Sequence, residues 1–380
     1  MIIQSKRVWV ATQFIPAQIV IEDGVILSIL EYGKEKVDID YDSKRIIPGF
    51  IDIHTHGAYG FDTNDGDEAG LRKWIKGIPS DEGVTSVCPT TITQSVAVLT
   101  NALKNVANVV KSGYDGAEIL GVHFEGPYLD LKYKGAQPEE FIAVPSVKQF
   151  KDYQEAANGL IKIITMAVEK DPNHELTRYA SENGVVVSMG HSAATYEEAL
   201  LGVANGATSM THVFNGMTPF HHRDPGLVGG ALRFRDIFGE VICDGCHSNV
   251  NSLNNLFTAK GRDYTIMISD SLRAKGLPKG FYKSGGLDIE IYDDGSAHLT
   301  SEGHSLAGST LKLNEGLRIL VEDAMVPFDA ALNSCTLNPA RLLKVDDRKG
   351  KLVSGFDADI VVLNDDYSVE QTFTKGIARK

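Results

Sequence analysis

The chain has 380 residues, 43% hydrophobic and 23% charged, with a formal net charge of -13. This is more than one small domain needs, and the balance excludes a disordered chain. The acid surplus excludes a nucleic-acid or anionic-membrane partner, no apolar run nears the roughly 20 residues of a membrane span, and four scattered cysteines build no disulfide framework.

Residues 1–47 read as β-rich. Val8-Trp9-Val10 and Ala17–Ile21 lead to Asp23-Gly24, a hairpin turn signal, and then to Val25–Ile29. Residues 346–380 look alike, with Leu352-Val353 and Asp359–Asn364, so both termini are expected to share one small β-sandwich module. Met1-Ile2-Ile3-Gln4 lacks the pattern of a signal peptide, which with the cysteine usage leads to the expectation of a cytoplasmic protein.

Residues 48–345 alternate between short β-branched runs and helical patterns. Strands are expected at 46–53, 83–88, 119–125, 161–167, 185–191, 207–212, 238–244 and 265–270. Helices are expected near 68–78, 94–111, 173–182, 195–204, 309–324 and 328–344. Eight such runs predict a (β/α)8 TIM-like barrel, and no Gly-x-Gly-x-x-Gly follows the first strand to favour a dinucleotide fold. Asp293-Asp294-Gly295 between Ile289–Tyr292 and His298–Thr300 predicts a β-hairpin inserted near 275–303.

Polar residues collect at the carboxyl ends of these strands. His54 and His56, two apart on an extended strand, face one side. Glu125 ends the third strand, His191 the fifth and His212 the sixth; Asp244-Gly245-Cys246-His247 follows the seventh and Asp270 ends the eighth. In a barrel these ends share one rim, and four imidazoles with two carboxylates there make a divalent-metal site, one or two ions per subunit. His54, His56 and Asp270 would hold one ion, His191 and His212 the other, with Glu125 bridging; such a donor set suits Zn2+ or Fe2+ equally. Cys243 and Cys246 read as packing, and His123 as either a support to the site or a filled core position. His174, His298 and His304 read as ordinary loop or surface residues, and Asp52 and Glu118 as structural.

The order His-x-His, Glu, His, His, Asp resembles the amidohydrolase superfamily. Thr211-His212-Val213-Phe214-Asn215-Gly216-Met217, Arg223-Asp224-Pro225-Gly226 and Leu306-Ala307-Gly308-Ser309 narrow the resemblance to its N-acetylglucosamine-6-phosphate deacetylase family. That resemblance implies hydrolysis of the 2-acetamido group of a small phosphorylated amino sugar. It implies Asp270 as catalytic acid/base and His247 as a catalytic, substrate-contacting histidine. Asn215, Gly216, Leu306 and Arg223 match substrate binders, Arg223 for the phosphate, in a homodimer where Arg223 reaches the neighbouring site. The chain departs from some members in keeping both His54 and His56, which makes two ions possible, and in placing Gln137 where they carry a substrate-binding histidine. Two rival readings are a dihydroorotase-like cyclic-amide hydrolase, which would bridge its metals with a modified lysine, and a catalytically dead scaffold, which would have lost ligands.

Overall fold

The computed structural model describes residues 1–301 and 305–379; His304 lies outside them. Eight parallel strands form the centre: Phe50–Thr55, Val84–Thr91, Val122–Glu125, Ile161–Met166, Val186–Met189, Ala207–Met210, Phe238–Ile242 and Thr265–Ile268. Each pairs with the next in parallel register. The ring closes just beyond the eighth strand, where Asp270 N donates to His54 O (2.8 Å) and His56 N to Ser271 O (2.8 Å). The barrel predicted from the eight apolar runs is therefore present, with the carboxyl ends of its strands on one rim.

The first barrel strand is shorter than its hydrophobic run. Arg45–Pro48 belongs to a different sheet, and the chain crosses into the barrel at Gly49. A Cβ at Gly49 would sit 2.3 Å from Thr85 Oγ1, so only glycine lets the crossing lie this close to the second strand. Three wall helices, Val147–Ala156, Gly226–Arg233 and Val250–Lys260, lie outside the helices expected from the sequence. The first is started by Ser146, whose hydroxyl accepts from Gln149 N, and buries only Phe150 and Tyr153. The second carries three glycines, which disfavour an isolated helix by about 1 kcal/mol each; it stands because Leu227, Val228 and Ala231 are buried against the wall. The stretch expected to be helical from residue 309 begins only at Leu313, because Ser309 is pinned to the eighth strand's end by Ser309 N to Asp270 O (2.8 Å).

The termini do meet. One eight-stranded, mostly antiparallel sheet runs in the order Ile377–Arg379, Val369–Thr374, Ile360–Leu363, Arg45–Pro48, Ile2–Val10, Gln13–Glu22, Val25–Glu31, with Ile39–Asp40 beside Ile2–Val10. It curls until Val25 bridges Asp357, so that both halves enclose one apolar core around Ile3, Ile19, Ile26 and Phe373. Arg45–Pro48 and Ile360–Leu363 form the seam between the chain's two ends. By strict alternation Ile46, Ile360 and Val362 face the sheet's own core, while Ile47, Val361 and Leu363 face the barrel's. Burying each such side chain contributes about 1.5–3 kcal/mol, so the seam fixes the sheet to the barrel floor.

The insertion contains the expected hairpin and one strand more. Gly280–Ser284, Leu287–Ile291 and Ala297–Leu299 make a three-stranded antiparallel sheet. Its inner face buries Ile289, Ile291 and Ala297 against Leu272, Ala274 and Ala307 beside the rim.

An ion cluster ties the barrel to the terminal sheet from below. Glu118 meets Arg348 (2.8 Å), Lys349 (2.9 Å) and Lys375 (3.1 Å), and the buried Lys349 also holds Asp359 (2.5 Å). Burial works against the Glu118 charge, but these cations override it and bring its carboxyl down to about 2. Its folded pKa thus lies below the ordinary 4.5, so its stabilisation is full above pH 4.5 and disappears as pH falls towards 2. Glu118→Gln should cost on the order of 2 kcal/mol at pH 7, after discounting for partial solvent screening. Urea unfolding at pH 7 and pH 3 measures this: the gap between parent and variant narrows at pH 3, and equal gaps at both would refute it.

Candidate metal centre

The third strand is buried along its whole length and delivers Glu125, 2% exposed, to the middle of the rim. The first strand delivers His54 and, one residue past its end, His56. His191, His212 and Asp270 each stand two residues past the end of their strands, with φ of 47°, 30° and 47°. The left-handed backbone at three non-glycine positions costs of order 1–3 kcal/mol each, and it turns each chain back so that its side chain looks inward over the barrel.

All six predicted ligands converge. Glu125 Oε1 lies 3.4 Å from His191 Nε2, 3.3 Å from His212 Nε2 and 3.4 Å from His54 Nε2. Glu125 Oε2 lies 3.4 Å from His56 Nε2, and Asp270 Oδ1 lies 3.0 Å from His56 Nε2 and 3.5 Å from His54 Nε2. Donor atoms about 2.1 Å from one ion at tetrahedral angles stand about 3.4 Å apart, which is the spacing seen here.

The hydrogen bonds identify which nitrogens are free. His191 Nδ1 donates to Tyr133 O (2.8 Å), His212 Nδ1 to Asn215 O (3.1 Å) and His56 Nδ1 to Thr90 O (3.3 Å). A backbone carbonyl only accepts, so each neutral ring carries its proton on Nδ1 and presents a bare lone pair at Nε2. His191 Nε2 and His212 Nε2 face each other at 3.1 Å with no proton between them. His54 Nε2 and Glu125 Oε1 are buried without a hydrogen-bond partner. Lone pairs and carboxylates held this close are repulsive unless a cation lies among them, so the residues fit a divalent metal. The pocket draws positive charge: burial disfavours a charged His54, yet Glu125 and Asp270 hold its pKa well above the usual imidazole value.

A cavity of about 230 Å³ opens above these groups. His247, Asn215, Gly216, Gln137 and Leu306 line it. His247 is held by Asp244, whose Oδ2 takes its Nδ1 at 2.7 Å. Gln137 is engaged at both ends: Oε1 accepts from Thr93 N (2.8 Å) and Nε2 donates to Glu125 Oε2 (2.8 Å). Ser284, Ile289 and Leu299 place the inserted sheet over the mouth. Arg223 is not brought to this cavity. It sits on the exposed turn 221–224, with its guanidinium against His222 Nε2 at 2.7 Å.

His123 has both nitrogens in use, on Ile53 O (2.9 Å) and Thr165 Oγ1 (2.7 Å). It therefore supports the site from within the barrel and offers no lone pair, although it stands with His54 and Glu240 in ligand-like proximity. Cys243 is buried and its thiol pushed up by desolvation, as packing requires, while Cys246 is exposed. Sequence reasoning missed Glu240. It is fully buried in the seventh strand with Oε2 3.1 Å from His54 Nδ1. The signal was there: a carboxylate inside Phe238-Gly239-Glu240-Val241-Ile242, a parallel barrel strand buried from Gly239 on, must have a partner.

The chain matches the amidohydrolase family over residues 45–378. It is 42% identical over 336 residues to the N-acetylglucosamine-6-phosphate deacetylase of Bacillus subtilis (strain 168), covering 87% of this chain and 83% of that one. It is 32% identical to the N-acetylgalactosamine-6-phosphate deacetylase of Escherichia coli O157:H7, over 94% of this chain and 93% of that one. Among solved structures it resembles a mutant N-acetyl-D-glucosamine-6-phosphate deacetylase from Mycobacterium smegmatis in complex with N-acetyl-D-glucosamine-6-phosphate. The TM-score is 0.94 at 25% identity, over 100% of this chain and 98% of that one.

If the facing lone pairs are quenched by a bound ion, the ion also stabilises the fold. Zn2+ at about 100 times its Kd should add about 2.7 kcal/mol to the chelator-treated protein and raise its Tm by several degrees. Thermal melts with and without Zn2+ measure this, and coincident melts would refute it.

Proposed function

The chain belongs to the amidohydrolase family, and from that membership we propose that it hydrolyses the acetamido group of N-acetylglucosamine 6-phosphate to glucosamine 6-phosphate and acetate. The observation that carries this reading is the set of bare Nε2 lone pairs gathered with Glu125 and Asp270 under a cavity that also holds His247. The names of its relatives select the substrate. Glu125, His191 and His212 would hold one divalent ion, Zn2+ or Fe2+, and His54, His56 and Asp270 a second that shares Glu125. When bound, such an ion polarises the amide carbonyl and lowers the pKa of water to about 7.

The remaining chemistry belongs to side chains. Asp270, 8% exposed and aimed across the rim, takes the proton of the attacking water as the new C–O bond forms at the acetyl carbon. His247, its ring oriented by Asp244 Oδ2 at 2.7 Å, stands in the cavity to contact the developing oxyanion. Asp270 then returns the proton to the nitrogen as the C–N bond breaks, and amine and acetate leave. Asn215, Gly216 and Leu306 orient the sugar phosphate. Gln137 keeps Glu125 in place and presents its remaining surface to the substrate.

Arg223 lies outside its own chain's cavity. A homodimer in which each Arg223 binds phosphate in the neighbouring site accounts for this exposed cation, since a guanidinium fork matches two phosphate oxygens. The dihydroorotase-like alternative is disfavoured because Glu125 stands where a modified lysine would bridge, and no lysine lines the cavity among the described residues.

Acetate release should be rapid from N-acetylglucosamine 6-phosphate and weak from the sugar lacking its phosphate; equal rates would remove the phosphate from the reading. N-acetylgalactosamine 6-phosphate in the same panel gives the preference at C4. Asp270→Asn should lower kcat by roughly 10²–10⁴ with the Glu125–His191–His212 ion retained, and an active variant would reassign the acid/base. Arg223→Ala should raise KM for the phosphorylated substrate by about tenfold or more and leave kcat within about twofold.

A further inference from the structure

His54 differs from the other three imidazoles at the rim. They rest their Nδ1 on neutral backbone carbonyls, whereas His54 rests on a carboxylate, Glu240 Oε2, at 3.1 Å. Both side chains are fully buried. The other oxygen of Glu240 accepts from Ser188 Oγ (3.4 Å), which accepts in turn from Thr211 Oγ1 (2.7 Å). Thr211 meets Thr165 (2.7 Å), and Thr165 meets His123 Nε2 (2.7 Å). The ring of His123 closes the circuit with its centroid 4.4 Å from that of His54. A polar layer thus crosses the barrel just beneath the rim, and Glu240 is the carboxylate within it.

This layer holds more negative charge than stability requires. With a metal on Nε2 the His54 ring is neutral; a carboxylate buried against it and among hydroxyls is then costly, and a glutamine of the same shape would satisfy Ser188 and His54 alike. What glutamine cannot supply is charge. A carboxylate on Nδ1 makes Nε2 a stronger donor and fixes the ring's direction. Two divalent ions about 3.5–4 Å apart repel, so the second position needs more local negative charge than the first.

We propose that Glu240, acting through His54, is the positioning residue that lets the His54–His56–Asp270 position hold a divalent ion beside one bound at Glu125–His191–His212. The proposal rests on the two-position reading of the site. Glu240 touches neither substrate nor ion; its effect passes through one imidazole.

The test uses the full chain, stripped with chelator and reloaded with Mn2+ alone. Mn2+ per subunit is counted at rising concentrations, and electron paramagnetic resonance separates a coupled pair from a single ion. The parent should load two ions with a coupled spectrum. Glu240→Gln should load the first with unchanged affinity and the second 10–100-fold more weakly, giving a six-line single-ion spectrum at intermediate Mn2+. Its metal-free Tm should stay close to the parent's, because glutamine keeps the hydrogen-bonding shape of the site. Ser188→Ala, which keeps the charge and removes a neighbour, should still load two. Three results overturn the proposal: Glu240→Gln binding both ions as the parent does, Glu240→Gln losing both ions together with several degrees of metal-free Tm, or Ser188→Ala losing the second ion as fully as Glu240→Gln. A parent that loads one ion overturns the two-position reading and the proposal with it, and is recognised by its own spectrum.

Discussion

Two imidazole nitrogens 3.1 Å apart, neither with a proton to offer the other, set the terms for the top of this barrel. The tautomers are fixed from behind, by Tyr133 O and Asn215 O, so the lone pairs cannot escape by moving a proton. With Glu125 Oε1 equally unpartnered, the centre is an arrangement that burial forbids unless a cation lies among the donors. Its cost extends into the backbone, where His191, His212 and Asp270 all adopt left-handed conformations. A fold tolerates such strain only when its surroundings over-determine it. Here they do, through the ladder of parallel strands below, the polar layer from His123 to Glu240, and the pairing of Ser309 with the eighth strand's end.

The terminal sheet serves that rigidity from the opposite side. Ile47, Val361 and Leu363 are part of the same apolar core that supports the first and second barrel strands. Trp9 packs edge-on against Phe14 and Phe328, which tilt against each other, with centroids 5.0–5.3 Å apart where the sheet meets a wall helix. The Glu118 cluster adds charge pairing at the same junction. Since Pro48-Gly49 passes from one sheet to the other only a few residues before His54, a shift of the sheet would move the first two ligands directly.

Much of this was legible because the period and the chemistry coincide. Most of the apolar β-branched runs end in a residue that is expensive to bury, and eight such runs leave few architectures open. His54 and His56 could be placed on one face from spacing alone. What stayed hidden was of two kinds. The helices at 147–156, 226–233 and 250–260 are short, and Gly226–Arg233 carries three glycines, so propensity works against a helix that tertiary contacts then hold. Glu240 and the Ser188–Thr211–Thr165 chain were hidden because hydroxyls and a single acid inside strands carry no spacing signal; their meaning lies in which strands become neighbours. Asp270, at the eighth strand, and His54, at the first, are 216 positions apart, and only closure of the barrel sets them 3.5 Å from each other.

The same electrostatics constrain how an anionic substrate can sit. Glu125 and Asp270 crowd the cavity floor, Glu240 lies just beneath, and the whole chain is at -13. With the metal bound, a phosphate placed near the floor would compete with these carboxylates for the ion. The uncharged acetamido end carries no such cost and can approach the metal ligands closely. The proposed reaction therefore needs the sugar to stand upright, amide down and phosphate at the rim, where backbone amides near Asn215 and a guanidinium can meet it. Arg223 sits on an exposed turn outside the carboxylate field, which is where a phosphate-binding cation keeps its charge available and avoids pairing with the acids that the metal requires.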